Sequence, residues 1–415
     1  MSHELRRRGP DRPSRGAYHA IRRLAHILLA LFFRVKIRRD PKVHAVEGPL
    51  FIVGNHVSFL DPLFIGIAFP ERTIRFVSGE EIANAKITRF FARKLALITI
   101  KPFHVNFGTT REIMRSVADG MSVALYPETQ RTMVGDITPF DPATAKLIRR
   151  LNVPVANVTV RGGYLAWPRW SSLFRPGPVD VETSLLLSAE ATQTLSVEDI
   201  QRRLIEACDV DDYRWQRERP RLATYRSRKM AEHLSYVLHR CPACDRPLTL
   251  RSKRHVVTCR HCGHQVDVAR TGFLTAVPGS KAYFDDPLAW GRWQRRRVMA
   301  ALRDGEVIAA DVSLEFRETI GVVDAPARPR RDGRLILSSD GLRFEGRAGE
   351  SMTFVLGDTP SLYCSFGHYA NLVSGDDVWR AHTVEPGHVA LLVDVSRALW
   401  IRQNRAFCSG MDMSE

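Results

Sequence analysis

The 415-residue sequence holds little that would make it a membrane-spanning or a secreted, disulfide-built protein. The apolar core of its N-terminal arm, Ile27 to Phe33, runs for seven residues, far short of the roughly 20 needed to cross a bilayer as a helix. A basic leader before a short apolar run also fits a signal peptide. The run gives way, however, to Arg-Val-Lys-Ile-Arg-Arg, with no small-residue cleavage pattern. Cysteine is sparse: seven in all, four of them in two Cys-x-x-Cys pairs, while Cys208, Cys364 and Cys408 show no partner spacing. That usage excludes a disulfide framework and points to a metal site in a reducing compartment. No internal repeat is apparent, and hydrophobic and charged contents of 44% and 26% are ordinary for a globular chain.

Charge is where the composition departs from the ordinary. The formal net charge is +16, and residues 1–39 carry eleven Arg and Lys against Glu4 and Asp11. A basic cluster suits either nucleic acid or an anionic membrane leaflet. Within the arm, Ile21, Leu24, Leu28, Leu31, Phe32 and Val35 fall at helical spacing between Arg22, Arg23 and Arg34. That pattern predicts a helix lying in an anionic membrane interface with its apolar face down. The expected location is peripheral, on the cytoplasmic face of the membrane.

Short apolar runs at 49–53, 73–77, 122–126 and 153–160 read as strands, and 109–120 and 142–151 as helices. Strand and helix in alternation predict an α/β layer with a mainly parallel sheet. The expected division is a basic arm (1–40), an α/β domain (41–215), a basic helical linker (216–237), a zinc ribbon (238–272), a second linker (273–304) and a β-rich domain (305–405). In the last, β-like runs including 333–337, 341–344 and 389–393 precede a short helix candidate at 396–405, a pattern resembling a pleckstrin-homology or GRAM-like barrel.

Of fourteen histidines, only His56 has an aspartate five residues on, Asp61. The pair follows a strand and Gly54, so both side chains are expected in a cavity at a strand end. An imidazole there takes a proton from an attacking hydroxyl while a carboxylate fixes its tautomer. No protein nucleophile is then required. Seventy-two residues after His56, Glu128 and Arg131 follow another strand, and a guanidinium suits a phosphate. On spacing alone, a surface ion pair and a hydrogen-bonded loop histidine remain open.

Asn55-His-x-Ser-x-x-Asp61 resembles the first motif of the glycerolipid acyltransferases that include 1-acylglycerol-3-phosphate acyltransferase. Tyr126-Pro-Glu-Thr-Gln-Arg131 resembles their Phe-Pro-Glu-Gly-Thr-Arg motif, and Val153-Pro-Val-Ala-Asn-Val158 their later Val-Pro-Val-x-Pro-Val strand. The resemblance covers about residues 40–180. It implies His56 as general base and Asp61 as its partner, with Asn55, Ser58, Lys101, Glu128 and Arg131 about the substrate. It implies acyl-CoA or acyl carrier protein as donor and a lysophospholipid as acceptor. Three departures stand out. Thr129 and Gln130 replace Gly and Thr, Lys101 stands in for an arginine, and Asp141 follows Phe140 where a basic residue is common.

Cys241, Cys244, Cys259 and Cys262 supply four thiolates at the spacing of a closed structural zinc site, with Gly263 allowing the tight turn. His261 and His264 are read as bystanders. The ribbon lacks the aromatic interleaving of a single-strand stacking surface, so nucleic acid is an unlikely partner. The basic aromatic run 290–297 suits a lipid contact or a solvated helix. Two further classes stay open: a non-catalytic lipid-binding adaptor with a degenerate acyltransferase domain, and a nucleic-acid-binding regulator.

Overall fold

A computed structural model describes residues 12–79, 89–100, 107–317, 329–375 and 377–408. Lys101 lies outside the described residues, as do residues 1–11 of the basic arm.

Seven strands form the first sheet: β1 (Lys36–Arg38), β2 (Phe51–Gly54), β3 (Ile74–Gly79), β4 (Ile98–Ile100), β5 (Ser122–Leu125), β6 (Val155–Arg161) and β7 (Asp180–Leu187). Their order is β1-β7-β6-β2-β5-β3-β4. Every pairing is parallel except β6 with β7, as the alternating pattern predicts. Both faces are covered, which is why the central strands are continuous apolar runs. In β2, Ile52 faces one core with Phe64 and Leu29, while Phe51 and Val53 face another with Ile148 and Leu204.

Helix Arg15–Phe33 buries Tyr18, Ala25, Leu29 and Phe33. This inner stripe is not the one read from the sequence. Of the residues assigned to the membrane-facing stripe, Leu24, Leu28, Leu31 and Phe32 are exposed, as is Ile27. The helix is therefore apolar on two sides, one packed on protein and one uncovered. No helix among the described residues is long and apolar enough to cross a membrane.

The stretch expected as a basic helical linker is a correction. Helices Val197–Cys208 and Asp212–Arg217 precede it, but 219–233 has no helix, and a single 3-10 turn spans Leu234–Tyr236. Tyr225, Met230, Ala231, Val237 and Leu238 are fully buried. Their hydrophobicity serves the junction between the first sheet and the ribbon, not a helical face.

The ribbon is a four-stranded antiparallel sheet of β8 (Leu250–Lys253), β9 (Val256–Cys259), β10 (Gln265–Val268) and β11 (Leu274–Ala276). Helix Pro287–Arg303 comes next; its basic aromatic run buries Trp290, Gly291 and Gln294 and leaves Arg296 exposed. Trp290 is buried and donates Nε1 to the Arg240 carbonyl, and the part-buried Arg295 sits in an ion-pair network.

The C-terminal sheet contains β12 (Ile308–Arg317), β13 (Arg330–Ser338), β14 (Gly341–Gly346), β15 (Ser351–Phe354), β16 (Cys364–Ser365), β17 (Tyr369–Ser374) and β18 (Asp377–Thr383). It is antiparallel throughout, in the order β15-β14-β13-β12-β18-β17-β16. A bridge between Val355 and Val373 draws its two ends together. The run 389–393, expected as a strand, belongs to helix His388–Gln403. Short apolar runs do not distinguish a strand from a helix buried on all sides, and every residue from His388 to Arg397 is buried.

One ionic network joins these parts. Asp136 Oδ2 lies 2.9 Å from Arg295 Nη2 and 3.0 Å from Arg397 Nη1. Arg295 Nε lies 3.0 Å from Asp394 Oδ1, and Asp394 Oδ2 lies 3.0 Å from His239 Nε2. The two guanidiniums hold the Asp136 carboxyl far below its ordinary range despite burial. Removing one member leaves buried charge uncompensated. Asp136→Asn is therefore expected to cost about 3–5 kcal/mol, read as a lower melting midpoint. Because the folded pKa is depressed, the stabilisation is complete above the ordinary value of 3.8 and is lost as pH falls below it. The variant should show a correspondingly weaker loss of stability in acid.

Candidate active site

Parallel neighbours β2 and β5 end side by side, so the loops that leave them, 55–61 and 126–138, emerge together. Gly54 is required there: a Cβ would stand 2.7 Å from the Val158 carbonyl of β6. Asn55 then continues the ladder with its side chain, donating Nδ2 to the Val160 carbonyl at 2.9 Å and accepting from the Val160 N–H at 2.8 Å. Its amide is committed to the backbone.

His56 and Asp61 meet as the spacing predicts. Nδ1 of His56 lies 2.8 Å from Asp61 Oδ2. The same carboxylate oxygen accepts from the Val57 and Ser58 N–H groups, each at 2.8 Å. Asp61 is fully buried at the first residue of helix Asp61–Ala68, where the helix dipole favours its charge. The imidazole stacks on Tyr126 at 4.2 Å and 12°. It keeps 18% of its side-chain surface exposed, and Nε2 has no partner among the described residues. Burial outweighs Asp61 and sets the His56 pKa below its ordinary 6.5, so the ring is neutral at physiological pH. Ser58 is buried and accepts from the Leu60 N–H at 3.3 Å.

Glu128 ties the two loops. Oε2 accepts from the His56 N–H at 2.7 Å and Oε1 from the Thr138 N–H at 2.9 Å. Burial pushes this carboxyl up to about 8 in spite of both bonds. In return, the Thr132 N–H donates to the His56 carbonyl at 2.9 Å. Both Glu128 oxygens thus serve the frame around His56.

Arg131 lies 3.2 Å over the ring of Phe59. Its Nη1 is buried without a hydrogen-bond partner, and burial lowers its pKa to about 9. Phe59, Tyr126 and Trp167 border this constellation and were not singled out in the sequence. Phe59 and Tyr126 lie inside the two motifs; Trp167 carries no such signal.

Of the departures from the resembled pattern, Lys101 lies outside the described residues, and Thr129, Gln130 and Asp141 have local explanations. Thr129 sits in the left-handed region at φ +56°, where the resembled motif has glycine. Gln130 bonds Leu362 and Arg169. Asp141 accepts from the Ala143 N–H at 2.7 Å ahead of helix Ala143–Leu151. None of the three touches the His56–Asp61 pair.

A second site lies in the ribbon. The sulfurs of Cys241, Cys244, Cys259 and Cys262 all fall within 4.8 Å of one another. Cys241–Cys262 and Cys244–Cys259 are each 3.8 Å apart, the edge length of a tetrahedron with metal–sulfur bonds of about 2.3 Å. Asp245 and Gly263, each following a Cys-x-x-Cys pair, take positive φ and make the paired turns. The cluster can hold a metal ion with no position left for substrate. His264 bonds Ser280 and is no part of it.

Residues 34–161 match the family described as Acyltransferase. The chain is 25% identical over 177 residues to human 1-acyl-sn-glycerol-3-phosphate acyltransferase beta, covering 41% of this chain and 60% of that one. It is 24% identical to the chloroplastic 1-acyl-sn-glycerol-3-phosphate acyltransferase BAT2 of Brassica napus, over 37% of this chain and 44% of that one. The chain therefore spans 60% or less of these relatives. Among solved structures it is similar to the 1-acyl-sn-glycerophosphate (LPA) acyltransferase PlsC of Thermotoga maritima. That match has 21% identity and a TM-score of 0.39, over 46% of this chain and 76% of that one.

The backbone at Thr129 yields a stability test. Left-handed φ costs a residue with a Cβ about 1–2 kcal/mol, offset in part by the greater freedom of glycine when unfolded, about 0.4–1 kcal/mol. Thr129→Gly is expected to raise stability by about 0.5–1 kcal/mol, measured as a rise in melting midpoint.

Proposed function

We propose that the protein transfers a fatty acyl group from a thioester, acyl-CoA or acyl carrier protein, to the hydroxyl of a lysophospholipid at a membrane surface. The acceptor of the resembled family, 1-acyl-sn-glycerol 3-phosphate, is the first candidate. The carrying observation is the orientation of His56: Nδ1 is engaged by Asp61, Nε2 has no partner among the described residues, and the ring keeps 18% of its side-chain surface exposed. In this reading Nε2 takes the proton of the acceptor hydroxyl as its oxygen attacks the thioester carbonyl carbon. The ester C–O bond forms, the C–S bond breaks, and the thiolate leaves with that proton. Asp61 stabilises the transient imidazolium, and Arg131 offers its unpaired Nη1 to the acceptor phosphate.

The uncovered side of helix Arg15–Phe33 supports the membrane part of the reading. Phe32 contacts Phe174 at 5.5 Å, Phe174 contacts Trp167 at 5.8 Å, and Trp167 contacts Phe59 at 5.0 Å. Exposed apolar surface thus continues from the helix to the ring beneath Arg131, a path on which an acyl chain stays out of water. Exposed Arg23 and Arg34 on the same arm suit anionic lipid. Reduced cysteines agree with the cytoplasmic face. A structural zinc in the four-cysteine cluster would tie the two Cys-x-x-Cys turns of the ribbon together and supply no chemistry to the acyl transfer. The C-terminal sheet with its helix is read, on pattern, as a pleckstrin-homology or GRAM-type module.

The enzyme reading is tested with labelled acyl donor and a panel of lysolipids in vesicles. Product is expected with at least one acceptor, and His56→Ala should lower kcat by about 10²–10⁴ while vesicle binding is unchanged. Full activity in that variant removes His56 as the base. Because the neutral ring is required and its pKa is lowered, activity should hold below pH 6.5 and fall only at more acid pH. Removing metal with a strong chelator, or replacing Cys244 with Ser, should lower the melting midpoint, and metal analysis of the purified protein should find about one zinc per chain.

A further inference from the structure

The segment that carries Arg131 is held from outside its own domain. Gln130 donates Nε2 to the Leu362 carbonyl at 3.0 Å and accepts at Oε1 from Arg169 Nη1 at 2.9 Å. Arg169 Nη1 also approaches the Arg131 carbonyl at 3.3 Å, and Nη2 donates to the Cys364 carbonyl at 2.7 Å. The Arg169 guanidinium lies 4.7 Å over the ring of Phe366. Leu362, Cys364 and Phe366 are buried in and beside β16 of the C-terminal sheet. Arg169 therefore joins the loop after β5 to a strand 195 residues beyond itself along the chain.

The charges around this joint are unbalanced. Among the described residues neither Arg131 nor Arg169 forms an ion pair with a carboxylate, and Arg131 Nη1 is buried without a partner. Burial lowers the Arg131 pKa most, and the neighbouring Arg169 guanidinium adds to that depression. Asp61 offsets part of the Arg131 charge, but among the described residues neither guanidinium is bonded to a carboxylate, and a bound anion offsets the remaining cost. Arg169 spends its donors on carbonyl and amide oxygens, which leaves Arg131 to meet the anion.

We infer that Arg169 is a positioning residue for the acceptor's anionic headgroup: anchored on Cys364 and Phe366, it fixes Gln130 and the Arg131 backbone so that Arg131 presents its unpaired edge, and the C-terminal domain is thereby part of the acceptor site. The inference rests on the acyl-transfer reading for the identity of the anion. It goes beyond that reading in assigning acceptor recognition to a residue outside the matched segment 34–161 and to a domain with no part in the chemistry.

The test uses the full chain and two acceptors, 1-acylglycerol 3-phosphate and uncharged monoacylglycerol, in vesicles of one composition. Arg169→Met should raise KM for the phosphorylated acceptor about tenfold to hundredfold and leave kcat within about threefold. KM for monoacylglycerol should be unchanged. Gln130→Leu, which removes both Gln130 bonds but keeps Arg169, should act in the same direction. Arg169→Lys should not rescue, because a point charge does not reproduce the two-pronged bonding. A wild-type KM in both Arg169→Met and Gln130→Leu, an equal rise for the two acceptors, or full rescue by lysine overturns the inference. If the wild type acylates neither acceptor, the choice of 1-acylglycerol 3-phosphate as acceptor fails, and the joint is then read from melting midpoints with glycerol 3-phosphate. A rise in the wild type that is lost in both variants supports the joint. No rise in the wild type, or the same rise in all three, overturns it.

Discussion

Glu128 is the constraint on which the site is built. Its two oxygens take the N–H groups of His56 and Thr138, binding the loop after β2 to the loop after β5. Two strand-end loops are otherwise free to part, and an imidazole on one of them would then lose its relation to an arginine on the other. The bonds are made in a place dry enough to push the carboxyl up to about 8, where each polar contact counts for more than it would in water. With that frame in place, the Asp61 carboxylate can commit one oxygen to Nδ1 of the ring, and the opposite nitrogen remains open.

The same logic repeats at larger scale. Asp136, five residues beyond Arg131, is gripped by Arg295 and Arg397, and Asp394 links Arg295 to His239 beside the ribbon. Buried charges hold their geometry because any separation exposes them to an unfavourable interior. The site loop, the ribbon and the C-terminal helix are thus bound to one another at their polar contacts as well as through the apolar core that runs from Tyr18 to Val395. The outer side of the first helix is the exception, an apolar face that the described residues leave uncovered.

Much of the site was legible because its chemistry is local. His56 and Asp61 lie five residues apart, so one turn closes their contact, and the two Cys-x-x-Cys pairs shape their own knuckles. The parallel sheet was legible because strands buried on both faces must be apolar throughout. Three features were not. The inner stripe of helix Arg15–Phe33 was hidden because the helix is apolar on two sides, and periodicity cannot say which side meets protein. The buried coil 219–233 looked basic and helical because its apolar anchors are spaced by the surface they fill. Arg169 stood in no motif, since its partners lie in another domain.

The sequence by itself determined the His56–Asp61 contact, the four-cysteine cluster and the order of α/β, ribbon and β-rich parts, because each follows from residues within a few positions or from the periodicity of one element. Only the tertiary structure decided that Asn55 and Glu128 serve the backbone around His56. It also decided that Thr129 and Gln130 stand in a strained turn and an interdomain joint, and that helix Pro287–Arg303 is core. Those outcomes depend on which distant atoms satisfy a buried donor or acceptor, and such pairing is settled only when the layers come together.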